Sequence, residues 1–120
     1  MTKADGQDPS GDLLPLTPAV FYILFALAEG EKHGYAIMKE VEDVSGGQFT
    51  MGPGTLYSTI QRLLELGLIE ETSTSSDSER RRRYYRLLRR GRQIFEAELN
   101  RMESLVRSAQ RRKLVPREAR

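Results

Sequence analysis

Cysteine and tryptophan are absent from the 120 residues, and histidine occurs once, at His33. Without cysteine no disulfide framework can form, and one histidine leaves too few ligands for a Cys/His zinc site, so no metal is expected. There is no Gly-x-Ser-x-Gly elbow, no phosphate loop and no second histidine around which to build an active site. A small enzyme is therefore the weakest function class, and no cofactor is expected. Hydrophobic runs are short. Ala19 to Ala28 is continuous but only ten residues long, half of the ~20 needed to cross a bilayer. The first residues lack a basic stretch followed by an apolar one, so neither a membrane nor export is expected, and the cytoplasm is the expected compartment.

What is present is a charge asymmetry. The net charge of +2 divides into −5 over residues 1–52 (three Lys against eight Asp and Glu) and +7 over residues 53–120 (sixteen Lys and Arg against nine Asp and Glu). A basic half of this kind is the footprint expected of a nucleic-acid partner. It begins at an organised stretch, Met51 to Ile69. Pro53 suits a first helical position, Leu56, Ile60, Leu63 and Leu64 recur at helical spacing, and Gly67 suits the stop. At ~100° per residue, Leu56, Tyr57, Ile60, Leu63 and Leu64 share one side. Thr55, Ser58, Thr59, Gln61, Arg62 and Glu65 share the other. Hydroxyls, an amide and a guanidinium can read base edges and hold phosphates; by itself the same face also fits an ordinary solvated helix.

Residues 1–12 are polar and aperiodic and read as a disordered tail. Thr17-Pro18 gives a cap and a first helical position for a helix from Pro18 to about Glu29. That helix is apolar on nearly every side, so one face should serve the core and another should meet a second subunit or the chain's own C-terminal helix. Glu31 to Gly34 reads as a connection, and His33 beside a glycine as a cap or surface residue. A second helix is expected over about Gly34 to Val44, with Ile37, Met38, Val41 and Val44 inward. The link from there to Pro53 exceeds the ~3–4 residues of a minimal helix-turn-helix. Leu68 to Thr74 and Tyr84 to Leu88 read as strands, the second with Tyr85 and Leu87 on one face. Arg80 to Arg83 form a basic flank. Last comes a helix from about Arg89 to Arg112, where Phe95, Leu99, Met102, Val106 and Ala109 make a heptad seam widened by Ile94 and Leu105. The simplest partner for that seam is the same helix, or the apolar first helix, of another copy.

The expected fold class is mainly α with a small β-hairpin: a winged helix-turn-helix over residues 13–88, a C-terminal dimerisation helix over 89–112 and a frayed tail over 113–120. At this point the sequence resembles the PadR family of bacterial transcriptional regulators. The resemblance is carried by Leu16-Thr17-Pro18-Ala19-Val20, His33-Gly34-Tyr35-Ala36-Ile37, Pro53-Gly54-Thr55-Leu56-Tyr57, Arg62-Leu63, Gly67-Leu68-Ile69 and Arg83-Tyr84-Tyr85-Arg86-Leu87 with Gly91. It spans about residues 14–110, and the single terminal helix is similar to the shorter of the family's two subclasses. The resemblance implies a homodimer on a palindromic operator in double-stranded DNA, usually as a repressor, with the third helix in the major groove and the wing on the backbone or minor groove. Gly54, Thr55, Tyr57, Ser58, Gln61 and Arg62 then fall in or beside the recognition helix, and the wing supplies some of Arg80, Arg81, Arg82 and Arg83.

Several assignments stay open at this level. Tyr57 sits at the edge of the apolar arc and is divided between core and DNA. Arg62 is divided between DNA and a surface pair near Glu65. Gly54 would let a backbone N–H approach a phosphate. Phe21, Phe25, Phe95 and Met102 fit either the core or a dimer seam that includes Leu99, Leu105, Val106 and Ala109; a cavity there for a small apolar or aromatic effector is the functional alternative. Family members commonly have Thr where this chain has Leu88, and here Arg89 and Arg90 follow, against the helix dipole. These two arginines are expected to serve DNA phosphates or acidic partner residues. The rival to DNA binding is a winged-helix module that binds protein.

Overall fold

The computed structural model describes residues 13–72 and 83–116. Its elements run α1 (Pro18–Ala28), β1 (Lys32–His33), α2 (Gly34–Val44), α3 (Pro53–Glu65), β2 (Ile69–Thr72), β3 (Tyr84–Leu87) and α4 (Arg89–Arg111). The architecture is mainly helical with a small antiparallel sheet, as the periodicities predict. Arg80, Arg81 and Arg82, with the loop that carries them, lie outside the described residues.

α1 is the centre of the core. Thr17 caps it through its side chain, which accepts from the Val20 N–H, and Pro18 occupies the first turn. Ile23, Leu24, Ala26 and Leu27 are fully buried. Its second apolar face is covered by the chain's own C-terminal helix: the rings of Phe21 and Phe25 lie 5.7 and 5.5 Å from that of Phe95 on α4. α4 thus meets α1 within one chain, and Phe95 belongs to the core cluster of that chain. It is 6% exposed within one chain, because three rings close on one another before any second subunit is needed.

α2 buries Ile37 and Val41. The eight residues from α2 to α3 form a built loop. Ser45 Oγ accepts from the Phe49 N–H and donates to the Phe49 carbonyl, both at 3.0 Å. The Phe49 ring then stacks on Tyr22 of α1 at 5.2 Å. The surplus length over a minimal turn is thus spent on core contacts. α3 buries Leu56, Ile60 and Leu63, whereas Leu64 is only half-buried. It ends as glycine allows: Gly67 takes φ +75°, and Leu68 N–H returns to the Leu63 carbonyl at 3.0 Å.

The sheet has three strands in the order β1-β3-β2. Lys32 and His33, read from sequence as a connection, pair with Tyr85 and Tyr84. Two residues are too few to show alternation, which is why the strand is invisible in the sequence. β2 pairs with β3 from Ile69–Leu87 to Thr72–Tyr84, and Tyr85 points into the core.

α4 begins without a side-chain cap on Leu88, and Gly91 packs its α-carbon against the Leu68 carbonyl. Ile94 and Phe95 complete the core. Glu98 is the one buried charge among the described residues, 1% exposed. It accepts from the Leu16 N–H at 3.0 Å and from Arg101 Nε and Nη2 at 2.6 and 3.0 Å. Past Glu98 the seam residues lose cover: Leu105 is 58% and Val106 52% exposed. The helix closes with Lys113 in the left-handed region (φ 62°) and the Leu114 N–H on the Ala109 carbonyl.

Candidate nucleic-acid interface

The outer face of α3 carries Gly54, Thr55, Tyr57, Ser58, Gln61 and Arg62, all exposed, with Thr59 half-buried beside them. The six residues expected from sequence therefore lie on one accessible surface. The groups are partly pre-set by short-range bonds. Ser58 Oγ donates to the Thr55 carbonyl at 3.2 Å, and Gln61 Nε2 donates to Glu65 at 3.3 Å, so Arg62 is left as the cation of this face. It has no ion-pair partner among the described residues. A β-carbon on Gly54 would meet nothing within 4 Å, so packing within the chain does not demand glycine there.

Tyr57 is divided between the chain and solvent. It is 48% exposed, and its hydroxyl lies against the α-carbon of Gly34 at the start of α2. The ring spans the gap between two helices and presents one edge to solvent. His33 supports the same junction: its Nδ1 accepts from the Ala36 N–H at 3.3 Å and caps α2, one of the two roles expected of it. Next to it, Tyr35 is 63% exposed, with Lys39 Nζ 5.9 Å from its ring centre. Tyr35 and Lys39 are both exposed on α2, a surface that the sequence reading did not single out for contact. Their signal was an aromatic and a Lys four apart on α2's outer side.

At the base of the wing Arg83 pairs with Glu71 at 3.7 Å, and Arg86 holds Glu70 at 2.6 Å across the two strands. Burial first, then the neighbouring Glu71 carboxylate, pushes the Tyr85 phenol up, while a hydrogen bond from Arg83 works in the opposite direction. Arg83 thus sits at the root of the wing, paired across the strands to Glu71.

Arg90 is exposed, with part of its guanidinium engaged within the chain. Its Nη1 donates to the Leu66 carbonyl at the end of α3, at 2.9 Å, and Arg92 Nη2 donates to the Ala28 carbonyl at the end of α1, at 3.2 Å. Helix C-termini leave carbonyls unpaired and carry partial negative charge. The cations that oppose α4's own dipole therefore satisfy the ends of two other helices. Arg89 remains exposed.

A model of the Transcriptional regulator PadR-like family matches residues 23–97. The chain belongs to this family. PadR-like proteins are transcription regulators, not enzymes. The chain is 30% identical over 83 residues to the transcriptional regulator YqjI of Escherichia coli K12, covering 69% of this chain and 38% of that protein. It is 37% identical over 87 residues to an uncharacterized 37.1 kDa protein of transposon TN4556 in Streptomyces fradiae, covering 72% of this chain and 24% of that one. It thus spans well under half the length of these curated relatives. Bacillus subtilis PadR, solved in complex with operator DNA, shares the fold, with TM-score 0.63 and 24% identity over 71% of this chain and 47% of that chain. The match to the PadR-like model takes in α2, α3, the sheet and the first turns of α4, which are the elements that assemble the surface described above.

Proposed function

We propose that this chain is a cytoplasmic, sequence-specific DNA-binding regulator that acts as a homodimeric repressor on a palindromic operator. The observation that carries this is the exposed α3 face, with hydroxyls, an amide and Arg62 beside a wing root anchored by Arg83. On this reading Thr55, Ser58, Gln61 and Arg62 meet base edges and phosphates in the major groove, and Gly54 lets the helix N-terminus approach a phosphate. Tyr57 and Tyr35 flank the groove, and the wing arginines Arg80 to Arg83 supply backbone affinity.

Dimerisation is assigned to the outer half of α4, where Leu99, Leu105 and Val106 are exposed and Met102 and Ala109 half-buried along one apolar stripe. Phe21 and Phe25, half-buried beside it, border the place where a small apolar or aromatic effector would act. Such a ligand relieves repression only by preferring one dimer geometry over another.

The test is a titration against the chain's own upstream DNA and an unrelated duplex at several salt concentrations. Tight binding to the upstream segment, with a log–log slope of ~0.9 per phosphate contact, is expected. Absence of binding to either duplex at every salt concentration would move the assignment to a protein-interaction module.

A further inference from the structure

Glu65 is the acidic residue of the outer α3 face. It is exposed, as are Thr55, Ser58, Gln61 and Arg62. It is also the last residue of the helix, where a carboxylate opposes the dipole, and beside DNA its charge would repel phosphates. Helix stability and DNA affinity both count against it there. Its carboxylate is nonetheless engaged: Oε2 accepts from Gln61 Nε2, one turn earlier, at 3.3 Å. Among the described residues no cation pairs with it, Arg62 included. The bond fixes which way round the Gln61 amide stands. An ionised carboxylate only accepts, so it must meet the NH₂ end and turn the carbonyl end away. Gln61 Oε1 accepts from nothing among the described residues, and the second N–H of the amide also stays free.

We propose that Glu65 is a positioning residue that sets the Gln61 amide to read an adenine. In the major groove adenine alone offers a donor, N6–H, beside an acceptor, N7, and a glutamine amide matches both through its carbonyl and one N–H. Guanine O6 and thymine O4 are acceptors and would face the Gln61 oxygen unpaired; cytosine N4–H would give it one bond where adenine gives the amide two. Without the carboxylate, an exposed amide can turn over and offer its nitrogen to a keto base instead. The inference rests on the DNA-binding reading and names what one position of that surface selects. A pair that merely supported the helix, as four-residue spacing allows, would leave base preference untouched.

The experiment is a selection of randomised DNA duplexes by the full chain, repeated with Q61A, E65A and E65Q. The parent should enrich a motif with adenine at a position where Q61A has no preference. E65A should lose about tenfold of the preference there, one bidentate pair's worth, and keep every other preference in the motif. E65Q, whose amide oxygen can still accept, should restore part of it. Replacing that adenine by 7-deazaadenine, which lacks the N7 acceptor, should weaken the parent and leave E65A nearly unchanged. An unrelated duplex should bind E65A at least as tightly as the parent, because a negative charge has been removed. An unaltered preference in E65A, a base other than adenine at the position that Q61A erases, or no position sensitive to Q61A would each overturn the proposal and leave DNA binding standing. Failure of the parent to enrich any motif would instead overturn the DNA-binding reading, and this inference with it.

Discussion

The hydroxyl of Tyr57 rests on the α-carbon of Gly34, so α3 and α2 meet through one phenol and one missing side chain. A methyl group at position 34 would overlap the Tyr57 hydroxyl. Gly34→Ala should therefore displace Tyr57 and destabilise the fold by about 1–3 kcal/mol, in the range of overpacking. A double-mutant cycle checks it: the penalty should largely vanish in a Tyr57→Ala background, because the pair is in direct contact. An equal penalty in both backgrounds would show that Tyr57 is not the obstacle.

Gly91 faces a stiffer neighbour. Its missing side chain is filled by the Leu68 carbonyl, with a Leu87 methyl beside it, and backbone yields less than the end of a phenol. Gly91→Ala should lower the urea midpoint more than Gly34→Ala does. The reverse order would mean that α4 can slide off β2 more easily than Tyr57 can turn.

Gly54 should behave in the opposite way. With open space around it, Gly54→Ala exchanges a poor helix former for the best one, for a gain of up to about 1 kcal/mol. DNA affinity should fall nonetheless, since the added methyl stands where the helix N-terminus would meet a phosphate. Thermal melts and DNA titrations on the same variant separate the two effects; unchanged affinity would remove Gly54 from the interface.

The arginines should sort by role. Arg90→Ala frees the Leu66 carbonyl and should cost about 0.5–1 kcal/mol of stability, the worth of one hydrogen bond, with the salt slope of DNA binding unaltered. Arg62→Gln should do the reverse, lowering the slope by about one phosphate's share, ~0.9, at little expense in stability. A change in slope for Arg90→Ala would return that residue to the interface.

Glu98 gives the fold an acid limit. The Arg101 hydrogen bond, aided by the Leu16 N–H and opposed by burial, holds its carboxyl below the ordinary value of 4.5. The unfolded chain therefore takes up this proton first as pH falls. The stabilisation is complete above the unfolded value and is lost from about that pH downward, through the lowered folded one. Urea midpoints at pH 7 and pH 3 should differ less for Glu98→Gln than for the parent chain. Glu98→Ala should also cost stability at pH 7, about 1–3 kcal/mol from the unpaired Leu16 N–H alone.

α1 and α3 were legible because they carry their own punctuation: Thr17-Pro18, Pro53 and Gly67 mark ends by local backbone preference. The outward face of α3 follows from spacing: Thr55, Ser58, Gln61, Arg62 and Glu65 are exposed and Thr59 is half-buried, whereas Gly54 and Tyr57 came from the family resemblance. What could not be read depends on contacts distant in sequence. β1 has two residues and exists only because Tyr84 and Tyr85 arrive beside it. The assignments of Arg90 and Arg92 require knowing where α1 and α3 end relative to α4. Glu98 looks like any polar helix residue until Leu16, 82 positions away, is brought to it. Phe95 fits the heptad of α4 by spacing, yet that spacing cannot say whether the facing ring belongs to this chain or to another.

The first turn of α4, fastened by Arg90 and Arg92 to the ends of α3 and α1, gives the helix a fixed fulcrum. Ile94, Phe95 and Glu98 continue that hold, and at 1.5 Å per residue the part of the helix from Leu99 to Arg111 makes a free arm of about 20 Å. A tilt of only ~5° swings its far end through roughly 2 Å over such a length. In a pair of chains joined along the arms, the same geometry works in reverse: sideways movement where the arms cross is delivered to α3 as a small, stiff rotation.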